Sequence, residues 1–109
     1  FPLAEKSGSY FNAPILSPED IEAIRLSEEA QANLKKSVEW YLGFLERNDH
    51  WIKAYDHNHL RITRTIKSLR LLVSQETAEA FLNSVFGIIG DRVNVVRQDA
   101  IGFWKSSVN

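Results

Sequence analysis

The chain contains no cysteine. That excludes disulfides, thiolate metal sites and a cysteine nucleophile. A reducing intracellular compartment (cytoplasm, nucleus or organelle interior) is the expectation that follows. Methionine is absent too, so Phe1 is read as an internal start. No apolar stretch approaches the roughly 20 residues needed to span a bilayer, and the patch over residues 85–89 is broken by Gly87; an integral membrane protein is not expected. No signal peptide is visible at the start. Glycine-rich phosphate loops are missing: Gly87-Ile88-Ile89-Gly90 closes a helical pattern instead of preceding one. No Gly-x-Ser-x-Gly elbow surrounds any serine. Charge of one sign is lacking as well. Thirteen basic and 14 acidic residues give a net charge of −1, so no bulk field draws the chain to nucleic acid or an anionic membrane.

What remains reads as one all-α domain over residues 1–109, a compact array of about five helices with an irregular N-terminal arm. The arm covers residues 1–16, where Pro2, Gly8 and Pro14 interrupt any period; Phe1, Tyr10 and Phe11 suggest that it packs on something. The helical core covers residues 17–106. Ser17-Pro18-Glu19-Asp20 is a helix start, with a capping serine, a proline suited to the first turn and two acids at the positive helix end. Ser27 offers a second cap, opening a long helix to about Arg47. On it Leu34, Val38, Tyr41, Leu42 and Leu45 form one apolar stripe, and Trp40 and Phe44 a second. Two stripes imply two neighbours, so the second and third helices are expected to press together at the centre. Residues 48–58 form a polar loop. Asp56 or Asn58 caps a third helix over about residues 59–73, with Ile62, Ile66, Leu69 and Val73 inward and Arg61, Arg64, Lys67 and Arg70 opposite. Ser74 caps a fourth, which Gly90 ends. A last helix over about residues 94–106 presents Val96, Ala100, Phe103 and Trp104, its β-branched start being the weakest part of the pattern. Residues 107–109 are expected to fray.

Two stretches resemble a known family. Phe1-Pro2-Leu3 with Asn12-Ala13-Pro14 and Leu16 is one. His57-Asn58-His59-Leu60-Arg61-Ile62-Thr63-Arg64, continuing through Ile66-Lys67-Ser68-Leu69, is the other. Both resemble the conserved domain of opioid growth factor receptors, and the resemblance implies a microbial or truncated member. The aromatic-rich segment usual before Phe-Pro-Leu and the basic tail and repeats of the animal receptors are not in this chain. The resemblance implies a helical fold. The animal receptors are associated with an enkephalin-type peptide and with growth inhibition at the nucleus, but no peptide-binding motif maps onto residues here, so the activity stays open.

Several features bear on chemistry. His50, His57 and His59 lie near Asp49 and Asp56 and are weak candidates for a metal site. Their spacing matches no closed site, and the plainer reading makes His57 and Asn58 a brace for the third helix, with His50 exposed. The basic stripe of the third helix could meet phosphates; more simply, Arg61 and Arg64 pair with carboxylates of neighbouring helices while their stems cover Leu60 and Leu71. Trp40, Trp51, Trp104, Phe44, Phe81, Phe86 and Phe103 could line a groove for a peptide or an apolar cofactor, although core positions are expected for Phe44, Phe81, Phe86 and Phe103. Glu19 with Asp20 and Glu28 with Glu29 complement helix dipoles. No catalytic residue and no cofactor emerge. The expected function is a non-catalytic module that holds a protein or peptide partner through Trp51, Tyr55, Arg61, Arg64 and Leu71. A structural subunit of a larger assembly and a nucleic-acid-associated helical domain are the alternatives.

Overall fold

Local chemistry places most helix ends. The computed structural model describes residues 16–109, so the arm expected over residues 1–16 lies, Leu16 aside, outside the described residues. Ser17 Oγ accepts from the Asp20 backbone while the Asp20 carboxylate accepts from the Ser17 backbone, a reciprocal capping box that opens α1, Pro18–Leu26. Ser27 ends α1 and caps α2, Glu28–Arg47. Asp56 caps α3, His57–Leu72, so that helix starts two residues before the expected position and Asn58 lies inside its first turn. Ser74 caps α4, Gln75–Ile89. Gly90 ends it at φ +60°, a conformation L side chains rarely adopt. A 3₁₀ helix, Gly90–Val95, leads to α5, Gln98–Ser107. The described residues contain no strand.

The last segment departs from the expected single helix. Val93, Val95 and Val96 are poor helix formers because β-branching restricts χ1. Val96 turns extended, at φ −80° and ψ 140°, and its side chain is buried in the core. The continuous helix over 94–106 is therefore broken in two. The C-terminus does not fray as expected either: Val108 is buried and joins the core.

α3 is the central element. It packs most closely on α4, then on α5 and α1, and α2 rests on α4 and α1. The core gathers Leu45 from α2, Ile62, Ile66, Leu69 and Leu72 from α3, Phe81, Val85 and Ile89 from α4, and Ile101 and Trp104 from α5. Full burial of each aliphatic side chain stabilises the fold by about 1.5–3 kcal/mol before conformational entropy is counted. The expected meeting of α2 and α3 is seen at the side chains: Tyr41 and Leu45 of α2 enter the same core as Ile62, Ile66 and Leu69 of α3, and Gln31 donates to the Leu72 carbonyl. Their backbones come less close to each other than either does to α4, and a groove lies between them. No described helix is long and apolar enough to cross a membrane.

Candidate functional site

The Asp56–His59 turn anchors everything around it. Asp56 Oδ1 accepts from both the backbone N–H and the side-chain amide of Asn58, each at 2.9 Å, and Asn58 Oδ1 accepts from the Tyr41 hydroxyl of α2 at 3.0 Å. A second chain of bonds runs beneath it. Trp104 Nε1 of α5 donates to the His59 carbonyl at 3.0 Å. His59 Nε2 lies 2.8 Å from the Trp51 carbonyl. Trp51 Nε1 donates to the Leu45 carbonyl at 3.0 Å. Leu45 lies in the last turn of α2, where carbonyls lack helical partners. The loop thus folds under the end of α2 and its indole caps it.

These contacts reorder the expected site. Trp51, proposed from its polar neighbours as a surface contact, is fully buried, so that expectation is corrected. His59 faces the Trp51 carbonyl and the Trp104 ring, while His50 and His57 are exposed. No three His, Asp or Glu side chains gather into a metal-holding group among the described residues. The brace is Asn58 with His59, and His57 takes no part in it. Leu71 is half-buried at the far end of α3, its carbonyl accepting from Arg25 of α1. Phe103, expected in the core, is 63% exposed; Ile101 and Trp104 form the inward face of α5, and Phe103 falls one position off it. Tyr55 and Leu60 are exposed as well. Phe81 is buried as expected, and Phe44 and Phe86 are partly so. Of the five expected partner contacts, the structure brings together only Arg61 and Arg64.

Those two arginines face the groove between α2 and α3, about 750 Å³ in volume. α2 supplies Lys36, Ser37, Trp40, Tyr41 and Phe44; α3 supplies Arg61, Arg64 and Thr65. An aromatic run forms the floor. Trp40 stacks on Phe44 at 6.1 Å, Phe44 on Tyr41 at 6.3 Å, and Tyr41 on Phe81 of the core at 6.2 Å. Trp40 remains 67% exposed, unusual for the largest amphipathic ring. Three cations line the walls, with no acidic residue among the described residues there. Among the described residues none of the three forms an ion pair, so the carboxylate partners expected for Arg61 and Arg64 are not found. Lys36 is not among the expected site residues, and Trp40 is expected only as one of several aromatics that could line a groove, although Lys36, Trp40 and Phe44 recur at i, i+4 and i+8 on one helix face.

Two titrating groups meet at Asn58: Tyr41, which lines this groove, and Asp56, which does not. Burial pushes the Tyr41 hydroxyl far above the usual phenol range; the Arg61 cation works against this and the Asp56 carboxylate adds to it. Tyr41 therefore stays protonated and keeps donating to Asn58. Partial burial raises Asp56, but the two bonds from Asn58, with Lys53 and His50 nearby, outweigh it. The carboxyl is held below its ordinary value.

A second groove, about 550 Å³, lies between α3 and α5, lined by Tyr55, Leu60, Phe103, Lys53, Asp56, Arg97 and Asp99 among others. Its charges pair with one another. Lys53 lies 3.6 Å from Asp56, and Arg97 is 2.7 Å from Asp99 while also covering the Tyr55 ring at 4.4 Å.

In sequence the chain is similar to the opioid growth factor receptor of Mus musculus. The two are 30% identical over a 129-position alignment that covers 99% of this chain. It covers 20% of the receptor, so the chain spans about a fifth of that protein's length. The similarity points to the same family as the Phe-Pro-Leu and His-Asn-His-Leu-Arg-Ile-Thr-Arg stretches. No family model and no solved structure matches the chain.

Proposed function

We propose that this domain is a non-catalytic interaction module that holds a protein or peptide partner in the groove between α2 and α3. The observation that carries the reading is an exposed tryptophan in a groove whose cations, among the described residues, have no carboxylate beside them. Buried aromatic contact with a rim of directional cations is how interaction sites combine affinity with orientation. The volume lies within the roughly 300–1,000 Å³ of sites that engulf a ligand segment. Similarity to a protein named as a growth factor receptor fits a binding role. Among the described residues the groove offers no pair of groups poised for acid–base or nucleophilic work: their hydroxyls are Ser37, Tyr41 and Thr65, and Thr65 Oγ1 donates to the Arg61 carbonyl of its own helix.

Selection of random peptides displayed on phage against the 109-residue chain tests this directly. Enriched peptides are expected to shift backbone amide resonances along residues 36–44 and 61–65, and to lose binding on Trp40→Ala. Enriched peptides that shift only resonances elsewhere would refute the groove as the site.

A further inference from the structure

We infer, building on that reading, that the partner of the α2–α3 groove is an acidic peptide segment carrying an aromatic side chain. Three observations combine. Among the described residues the walls present Lys36, Arg61 and Arg64 and not one carboxylate, so a ligand that matches them brings the negative charge. Two of the cations are arginines one helical turn apart, on neighbouring surface positions, and guanidinium forks take carboxylates bidentately. Trp40 is held nearly parallel to Phe44, at 14°, while staying two-thirds exposed. It is a fixed plane on which a further ring can stack, offset or edge-on.

Nucleic acid also offers rings and negative charge, but it fits less well. A phosphate backbone runs on past three cations, and the chain as a whole carries net charge −1. Exposed Glu39 and Glu46 stand on the same helix as Lys36. Two or three carboxylates around one aromatic ring match the groove's charge and need no continuous basic track.

The test uses the 109-residue chain and a short synthetic peptide with a central Trp flanked on each side by Asp and Glu in a Gly-Ser background. Comparison ligands replace the acids with Asn and Gln, or the Trp with Ala; a fourth is an oligothymidine of similar length. Fluorescence anisotropy is expected to give saturable binding that weakens with added salt. Neutralising the peptide, or combining Arg61→Glu with Arg64→Glu, should weaken it roughly tenfold or more. Lys36→Glu and Trp40→Ala should each cost several-fold. These residues lie on the surface or groove wall, and unchanged melting temperatures will establish that the variants fold. Equal binding of the neutral peptide, tighter binding of oligothymidine, or no saturation of the acidic peptide by about 1 mM would overturn the inference. Display-selected peptides that occupy the groove without acids would overturn it too, yet leave the peptide-binding reading standing.

Discussion

The groove between α2 and α3 and the groove between α3 and α5 share α3 as a wall, but they handle charge differently. Between α3 and α5, Lys53 faces Asp56, Arg97 meets Asp99, and the Arg97 guanidinium covers the Tyr55 ring. An anion arriving there must break contacts already made. Between α2 and α3, Lys36, Arg61 and Arg64 line an aromatic floor with no acid among the described residues there. An anion there meets cations that no described residue of the groove neutralises. Both grooves expose a large ring, Trp40 in one and Phe103 in the other. Exposed apolar surface therefore does not distinguish them, and the state of the charges does.

The largest effects should come from what holds the shared wall. Trp51 caps α2 from below and receives His59 from α3. Trp51→Ala is expected to lower unfolding free energy by about 3–5 kcal/mol in chemical denaturation, the range for deleting a large buried ring. Trp40→Ala, on a ring of the same type, should change stability by less than about 1 kcal/mol. If the two substitutions cost the same, Trp51 is not the keystone that its burial makes it.

The second effect concerns binding. Arg61→Gln with Arg64→Gln should abolish most affinity for the acidic peptide, and Lys53→Gln with Arg97→Gln should leave it within about twofold. Equal losses from both pairs, measured by anisotropy at one salt concentration, would erase the contrast between the grooves.

How much of this could be read from the chain follows from how local each signal is. Ser17, Ser27, Ser74 and Gly90 act on backbone groups within a few residues, so the helix ends were legible. Arg61 and Arg64 were legible as a basic stripe because helical spacing alone puts them on one face. Trp51 was not. Its neighbours Asp49, His50 and Lys53 are polar, and only the fold of the loop beneath α2 buries it. Trp40 was legible as part of a second stripe, but that stripe was assigned to a packing partner. How closely α2 and α3 approach depends on how each seats on α4, which no periodicity records. Phe103 failed for a related reason: breaking the last helix at Val96 and Arg97 resets which face of α5 turns inward.

A smaller effect sits where the grooves meet. Asp56 caps α3 and lines the α3–α5 groove, and through Asn58 it supports Tyr41 in the other. Replacing it with alanine should cost about 1 kcal/mol, the usual value of a lost N-cap. Its folded carboxyl titrates below the unfolded one. The stability it contributes is therefore complete above the ordinary carboxylate pKa near 4, and is lost as pH falls through that value toward the lower folded one. Asp56→Asn should flatten that part of the stability profile between about pH 5 and pH 2. An unchanged acid limb would mean that the carboxylate is not what fixes the turn.

The smallest effect is also the most direct check on the paired groove. Arg97 and Asp99 are both about half exposed, at 42% and 52% of their side-chain surface. Exposed pairs of this kind are worth roughly 0–1 kcal/mol. The cation over Tyr55 adds about 0.5–1 kcal/mol at an exposed site. Arg97→Ala should therefore lower stability by no more than about 1–1.5 kcal/mol, while freeing Asp99 and the Tyr55 face. The freed carboxylate leaves the α3–α5 groove more negative, so the acidic peptide should gain nothing there. If Arg97→Ala instead raised affinity for that peptide, ring exposure and not unpaired positive charge would govern binding, and the argument for the α2–α3 groove would lose its basis.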